Sequence, residues 1–151
     1  MTTKTAPLRA TKDGLLNAAL ATELVCVLRC RRHHFTAKGM ASPKVAEEFM
    51  VHASEEAAHA DRIAERIVQP GGEPDFSSAT LLERSHADHD ESVSLQDMVR
   101  ANLVAERVAV ERCRQMIALV GDKDPTTRRL LESVLRDEEA HADEPAGLLV
   151  D

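Results

Sequence analysis

Four stretches of this chain carry apolar residues at the 3.6-residue period of an amphipathic helix, and each apolar stripe is broken near its middle by a glutamate. The first stretch runs from about Asp13 to Lys38, where Glu23 interrupts a stripe of Leu16, Ala19, Leu20 and Val27. The second runs from Ser42-Pro43 to about Gln69, with Glu56 among Phe49, Ala53, Ala60 and Ile63. In the third, from about Ser94 to Val120, Glu106 lies among Val99, Leu103, Val110 and Ile117. The fourth opens at Asp124-Pro125, and Glu138 lies among its Leu131, Val134, Leu135 and Ala142. A soluble helix keeps carboxylates off its buried face. Burying one without a partner is costly even after the surroundings relax. A bundle built from these four stripes therefore needs something at its centre to neutralise four negative charges.

The punctuation between the stretches sets the topology. Ser42-Pro43 and Asp124-Pro125 each place a capping side chain before a first-turn proline. Gly39, Pro70-Gly71-Gly72 and Gly121 stop the first three helices, and Pro145 predicts the end of the fourth. The first and second helices, and the third and fourth, are joined by short loops, which make antiparallel hairpins. The 24 residues from Pro70 to Val93 are long enough to cross the length of a bundle, with a short helix near Thr80 to His86. The chain of 151 residues reads as one all-α domain: a tail over 1–12, a four-helix bundle over 13–144 and a short tail over 145–151.

Two histidines point to what neutralises the glutamates. The second helix reads Glu56-Ala57-Ala58-His59 and the fourth Glu138-Glu139-Ala140-His141. Residues three apart share a helix face, so the inventory is two lone glutamates and two Glu-x-x-His pairs. Four carboxylates match the charge of two divalent cations, and carboxylate with imidazole suits iron or manganese. The spacing repeats: Glu23 to Glu56 is 33 residues and Glu106 to Glu138 is 32. Cys30 and Cys113 follow Glu23 and Glu106 by seven residues each, which puts both on the ligand face. A third Glu-x-x-His, Glu83 to His86, falls in the connector without a twin and is read as chance.

At these residues the chain resembles the bacterioferritins and Dps-like ferritins. The segments Leu16-Asn17 to Glu23-Leu24-Val25, Ala60 to Ile67 after Glu56-x-x-His59, Asn102 to Glu106, and Asp137 to His141 carry the likeness, over roughly residues 13 to 144. The resemblance implies a ferritin-like four-helix bundle with a di-iron ferroxidase centre inside one subunit. In it Glu56 and Glu138 would bridge two irons, Glu23 and His59 would complete one, and Glu106 and His141 the other. It implies oxidation of Fe(II) to Fe(III) by oxygen or peroxide, and storage of the product in a hollow homo-oligomer. Manganese or zinc are expected substitutes at such a centre.

The departures from the family are informative too. Ala57 stands where bacterioferritins carry a haem-ligating Met, so no haem is expected. Only Ala146 to Asp151 follow Pro145, too few for a fifth bundle helix, and the long connector favours a shell of 12 subunits over one of 24. Cys30 and Cys113 stand where many relatives carry Tyr. They are candidate redox helpers, although buried free Cys more often fills space. Cys26 reads as packing, His52 as a hydrogen-bonded neighbour of the centre, and Glu55 as either solvated or a first contact for incoming iron. His33 and His34 end the first helix with several cations, which suits a helix C-terminus. His86, Asp88, His89, Asp90 and Glu91 read as a polar surface loop.

Composition closes off other classes. The chain has no Trp or Tyr to stack on nucleic-acid bases, and a net charge of −7 opposes DNA despite Lys4, Arg9 and Lys12 in the tail. No apolar run approaches a membrane span. An odd three cysteines without a disulfide pattern suit the cytoplasm. Two alternatives stay open: a manganese or peroxidase-type enzyme on the same scaffold, and a non-enzymatic Dps-like shell that protects DNA.

Overall fold

A computed structural model of the chain describes residues 12–38 and 43–148. It contains α1 (Lys12–Ala37), α2 (Pro43–Val68), a one-turn α3 (Leu81–Arg84), α4 (Leu95–Val120) and α5 (Pro125–Leu148). The third and fourth helices read from the sequence are α4 and α5. Around the bundle α1 neighbours α2 and α4, and α5 neighbours the same two. The ladder of contacts from Arg66–Thr127 through Arg62–Ser133 to His59–Asp137 shows α2 and α5 antiparallel. All four neighbouring pairs are antiparallel, so α2 and α4 point the same way. The connector must therefore return along the whole bundle.

The helix ends have local causes. The Ser94 side chain accepts from the Asp97 amide at 3.1 Å, and Asp124 does the same for Thr127 at 3.1 Å. Gly121 ends α4 at φ 56°, where a side chain would be strained. A Cβ on Gly72 would sit 2.7 Å from the Ile67 carbonyl, so the turn after α2 closes only on glycine. Arg66 Nη2 reaches both Asp124 oxygens, at 3.0 and 3.2 Å, and ties the end of α2 to the start of α5.

One boundary differs from expectation. The helix expected to end at Pro145 continues through it to Leu148. A proline near a helix terminus removes a single backbone bond in a turn that has few left to lose. The stop expected at Gly39, the cap expected at Ser42, the N-terminal tail up to residue 11 and the last three residues lie outside the described residues.

The connector is clipped to α1 by a row of α1 side chains. Asn17 Oδ1 accepts from the Asp75 amide at 2.8 Å, and Thr22 Oγ1 from the His86 amide at 2.9 Å. Arg32 donates to the carbonyls of Ser92 and Glu91, both at 2.9 Å. His33 pairs with Asp90 at 3.0 Å. His33 is therefore not a helix-end cation: burial pushes its pKa down to about 4, and the ring is neutral. The expected surface loop is in large part an anchor.

Among the described residues two apolar cores fill the bundle, and a third, smaller cluster of Val25, Cys26 and Ala87 lies between α1 and the connector. Leu16, Leu20, Ile63, Ile67, Leu131 and Val134 form one. Val45, Phe49, Met98 and Val99 are central to the other. The four glutamates lie between these two: on α1, α2 and α4 the glutamate sits between residues given to one core and to the other, and Glu138 groups with Glu23, Glu56 and Glu106 across the bundle.

Candidate metal centre

Glu23, Glu56, Glu106 and Glu138 are 5%, 1%, 1% and 0% exposed, and His59 and His141 are also buried. The structure brings all six together. Glu23, Glu56, His59 and Glu138 offer one set of ligand atoms within 4.8 Å of one another, and Glu56, Glu106, Glu138 and His141 offer a second. Glu56 and Glu138 belong to both sets. His59 Nδ1 lies 3.5 Å from Glu23, 4.0 Å from Glu56 and 3.3 Å from Glu138. His141 Nδ1 lies 3.8 Å from each of Glu56, Glu106 and Glu138. Ligand atoms that share one ion at about 2.1 Å are at most about 4.2 Å apart, and every one of these imidazole–carboxylate distances falls inside that limit.

These atoms are orphans. Both carboxylate oxygens of Glu56, Glu106 and Glu138, one of Glu23, and Nδ1 of both histidines are buried without a hydrogen-bond partner. Orphaned buried polar atoms are rare and need a cause. The donor set fits two divalent cations in charge, atom type and spacing. Without a metal, protons take up the strain. Burial, then the charges of Glu56 and Glu138, push Glu23 well above the usual carboxylate range. Burial, then Glu56, do the same to Glu106. Burial also pushes Glu138 up, but contacts with Glu106, His141 and His59 outweigh it and hold Glu138 well below that range. Burial opposes charge on His141, yet Glu138 and Glu56 raise it to about 11. His59 is raised for the same reasons by Glu138 and Asp137.

The outer nitrogens of the two histidines are held as well. His59 Nε2 lies 2.9 Å from Asp137 Oδ2, and His141 Nε2 contacts Glu55. The acid preceding each Glu-x-x-His thus holds the histidine of the other motif. A carboxylate on Nε2 fixes the tautomer that leaves Nδ1 to a metal. Both acids are about half exposed and line a surface pocket of about 270 Å³ that reaches both histidines.

Behind His141 lies a buried polar chain. His52 stacks on the His141 ring at 4.4 Å, and Asn102 Nδ2 lies 3.3 Å from His52 Nδ1. Asn102 Oδ1 accepts from Arg29 and from Cys30 Sγ, each at 3.4 Å. His52, Glu106 and His141 form a third close group. Cys30 and Cys113 do not meet. Cys30 sits by Asn102, before Glu106 on α4, whereas Cys113 follows Glu106 and packs in the core with Met116 and Leu131. The two thiols are on opposite sides of the glutamate layer and cannot form a disulfide with each other. Burial pushes Cys30 up to about 11 and Cys113 to about 12, so both stay protonated at neutral pH.

Sequence reasoning missed Asp137, Asn102 and Arg29. Only Asp137 carried a signal, the acid-Glu-x-x-His pattern it shares with Glu55.

Comparison with known proteins follows the same lines. A family profile described as the ferritin-like domain matches residues 14–151. A bacterioferritin of Mycobacterium avium is 28% identical over 130 residues, 85% of this chain and 77% of its own length. A nutrient stress-induced DNA-binding protein of a Synechococcus species is 30% identical over 130 residues, 84% of this chain and 74% of its own. Among solved structures, a dodecameric thioferritin, the bacterioferritin-related protein of Bacteroides fragilis, superposes with a TM-score of 0.86 at 28% identity, over 92% of this chain and 84% of that one.

Proposed function

The chain belongs to the ferritin family, and from that membership we propose that it oxidises Fe(II) at the six-residue centre and keeps the ferric product as mineral inside a hollow homo-oligomer. The observation that supports this most is the set of orphaned carboxylate oxygens and imidazole nitrogens grouped around two positions. In this reading Glu56 and Glu138, which belong to both groups, would be shared by two irons, Glu23 and His59 would complete one position, and Glu106 and His141 the other. Two Fe(II) each give up one electron. Dioxygen takes the pair with two protons and leaves as hydrogen peroxide, or hydrogen peroxide takes it with two protons and leaves as water.

The chain's own groups do the rest. The four carboxylates favour the higher positive charge of the oxidised ions. Asp137 and Glu55 hold the histidines in register. The pocket on the α2/α5 face, where the carboxylates of Glu55 and Asp137 outnumber the single guanidinium of Arg62, admits the cation. Haem has no part in the proposal, since Ala57 offers no ligand beside Glu56. Twelve subunits in the cytoplasm complete it, in keeping with the dodecameric relative. A DNA-binding shell is favoured by the name of the Synechococcus relative and opposed by a net charge of −7.

Aerobic Fe(II) titration of the metal-free protein tests the reading. A chain without Trp or Tyr is nearly silent where ferric species absorb. A fast phase that saturates at about two Fe per chain, followed by slower growth, is expected for two ions held by this ligand set. Oxidation no faster than in buffer overturns it.

A further inference from the structure

Asn102 and Arg29 are outside the six-residue centre, yet both are buried beside it. Between them and the centre stands His52, buried on α2. Its ring stacks on His141, and one of its nitrogens lies within 4.8 Å of ligand atoms of Glu106 and His141. By position His52 is a third imidazole, next to the site that Glu106 and His141 complete. What it can offer a metal depends on which of its nitrogens carries the proton.

The polar chain behind His52 decides that. The Arg29 guanidinium is a donor only, and burial keeps the Cys30 thiol protonated, so it donates as well. Both reach the same end of the Asn102 amide, each at 3.4 Å. That end is the carbonyl oxygen, because an NH2 group there would face two donors. The NH2 end is therefore turned to His52 and donates to Nδ1 at 3.3 Å. The lone pair of Nδ1 is taken and the ring proton sits on Nε2, so neither nitrogen has a lone pair left for a metal. His59 and His141 are held the opposite way, with an acid on Nε2 and Nδ1 toward the glutamates.

We infer that Asn102, set by Arg29, is a positioning residue that governs the choice of metal: it withholds His52 and keeps the Glu106–His141 position at three carboxylates and one imidazole. The inference rests on the proposed metal centre and deepens it by naming what tunes its selectivity. Carboxylate oxygens suit Mn(II), and an added imidazole moves the preference toward Zn(II).

Asn102→Asp reverses the arrangement. The aspartate keeps the shape and still accepts from Arg29 and Cys30. Its second oxygen accepts from His52 Nδ1–H, which leaves the lone pair of Nε2 to a metal. The added charge acts alike on both divalent cations, so the ratio of the two affinities reads the change. Competition titrations with Zn(II) and Mn(II) should show the Zn(II) to Mn(II) ratio rising on the order of tenfold in Asn102→Asp. His52→Phe keeps an aromatic ring on His141 without nitrogens. Alone it should leave the ratio where it is, and combined with Asn102→Asp it should cancel the rise. Neutron diffraction from the unmodified metal-free protein requires no variant, and should show deuterium on His52 Nε2 and none on Nδ1. Deuterium on Nδ1, a ratio that Asn102→Asp leaves unchanged, or a ratio that falls with His52→Phe alone overturns the inference and spares the metal centre. Unmodified protein that binds neither ion overturns the metal centre itself, and the inference with it.

Discussion

Asp137 sits one residue before a glutamate of the centre and touches the histidine of the other motif. Its carboxylate holds His59 Nε2–H, which turns Nδ1 toward Glu23 and Glu138. Asp137→Asn keeps the shape and removes the charge, and either end of the amide can face the ring. The expected result is a loss of Zn(II) affinity of about 10–100-fold, read by competition with a chromophoric chelator. Asp137 is about half exposed and helps to raise His59, so the metal-free melting temperature should fall only slightly, by much less than the loss of affinity implies for the metal-loaded protein. An unchanged affinity would make Asp137 an ordinary surface acid. The four central glutamates were legible in the sequence because each breaks a periodic stripe, and His59 and His141 because each follows one of them by three residues. The acids beside them were not. Neighbours in a helix lie about 100° apart, so Asp137 looks outward when only its own helix is considered. That it meets His59 depends on α2 and α5 packing antiparallel at one register. Arg29 was hidden for another reason: among the cations near the end of α1 nothing in the sequence marks it as the buried one.

At the scale of elements, helix ends were readable where a cap, a proline and a glycine agree, as at Ser94, Asp124-Pro125 and Gly121. Pro145 misled because proline stops a helix only where a following turn depends on the missing bond. The connector was the least legible element. Its docking uses backbone carbonyls of Asp88, Asp90, Glu91 and Ser92, which leave no trace in side-chain pattern. Arg32 carries much of this docking, because a single guanidinium satisfies three carbonyls in succession. Arg32→Ala should destabilise the fold by about 1.5–3 kcal/mol, the usual worth of hydrogen bonds from a charged donor. Urea unfolding gives the magnitude. Amide exchange should accelerate in residues 85–93 before it does in the helices. Uniform acceleration along the chain would mean that connector and bundle open as one unit.

For the molecule as a whole, the glutamate layer between two apolar cores makes stability depend on what fills it. In the metal-free protein protons do. Glu23, Glu106, His59 and His141 all bind them more tightly folded than unfolded. A raised pKa lends stability that is full below the unfolded value and is lost as pH rises. For the two carboxyls the loss begins above the usual carboxylate range. For His141 it runs from about 6.5 up to about 11. Glu138, held low, stays ionised at neutral pH and adds no slope there. The metal-free protein should therefore melt lower at pH 8 than at pH 6. Metal binding displaces the same protons, so affinity should grow over that interval and loading should acidify an unbuffered solution. Zn(II), which cannot be oxidised, isolates this effect from catalysis. At 100 to 1,000 times its dissociation constant an ion adds about 3–4 kcal/mol, or about 6–16 °C for a chain of this size. Calorimetry with and without Zn(II) should show that gap widening from pH 6 to pH 8. A gap that narrows would mean that the protons at the centre are not the ones the metal replaces, and that the orphaned oxygens of the glutamate layer are satisfied in some other way.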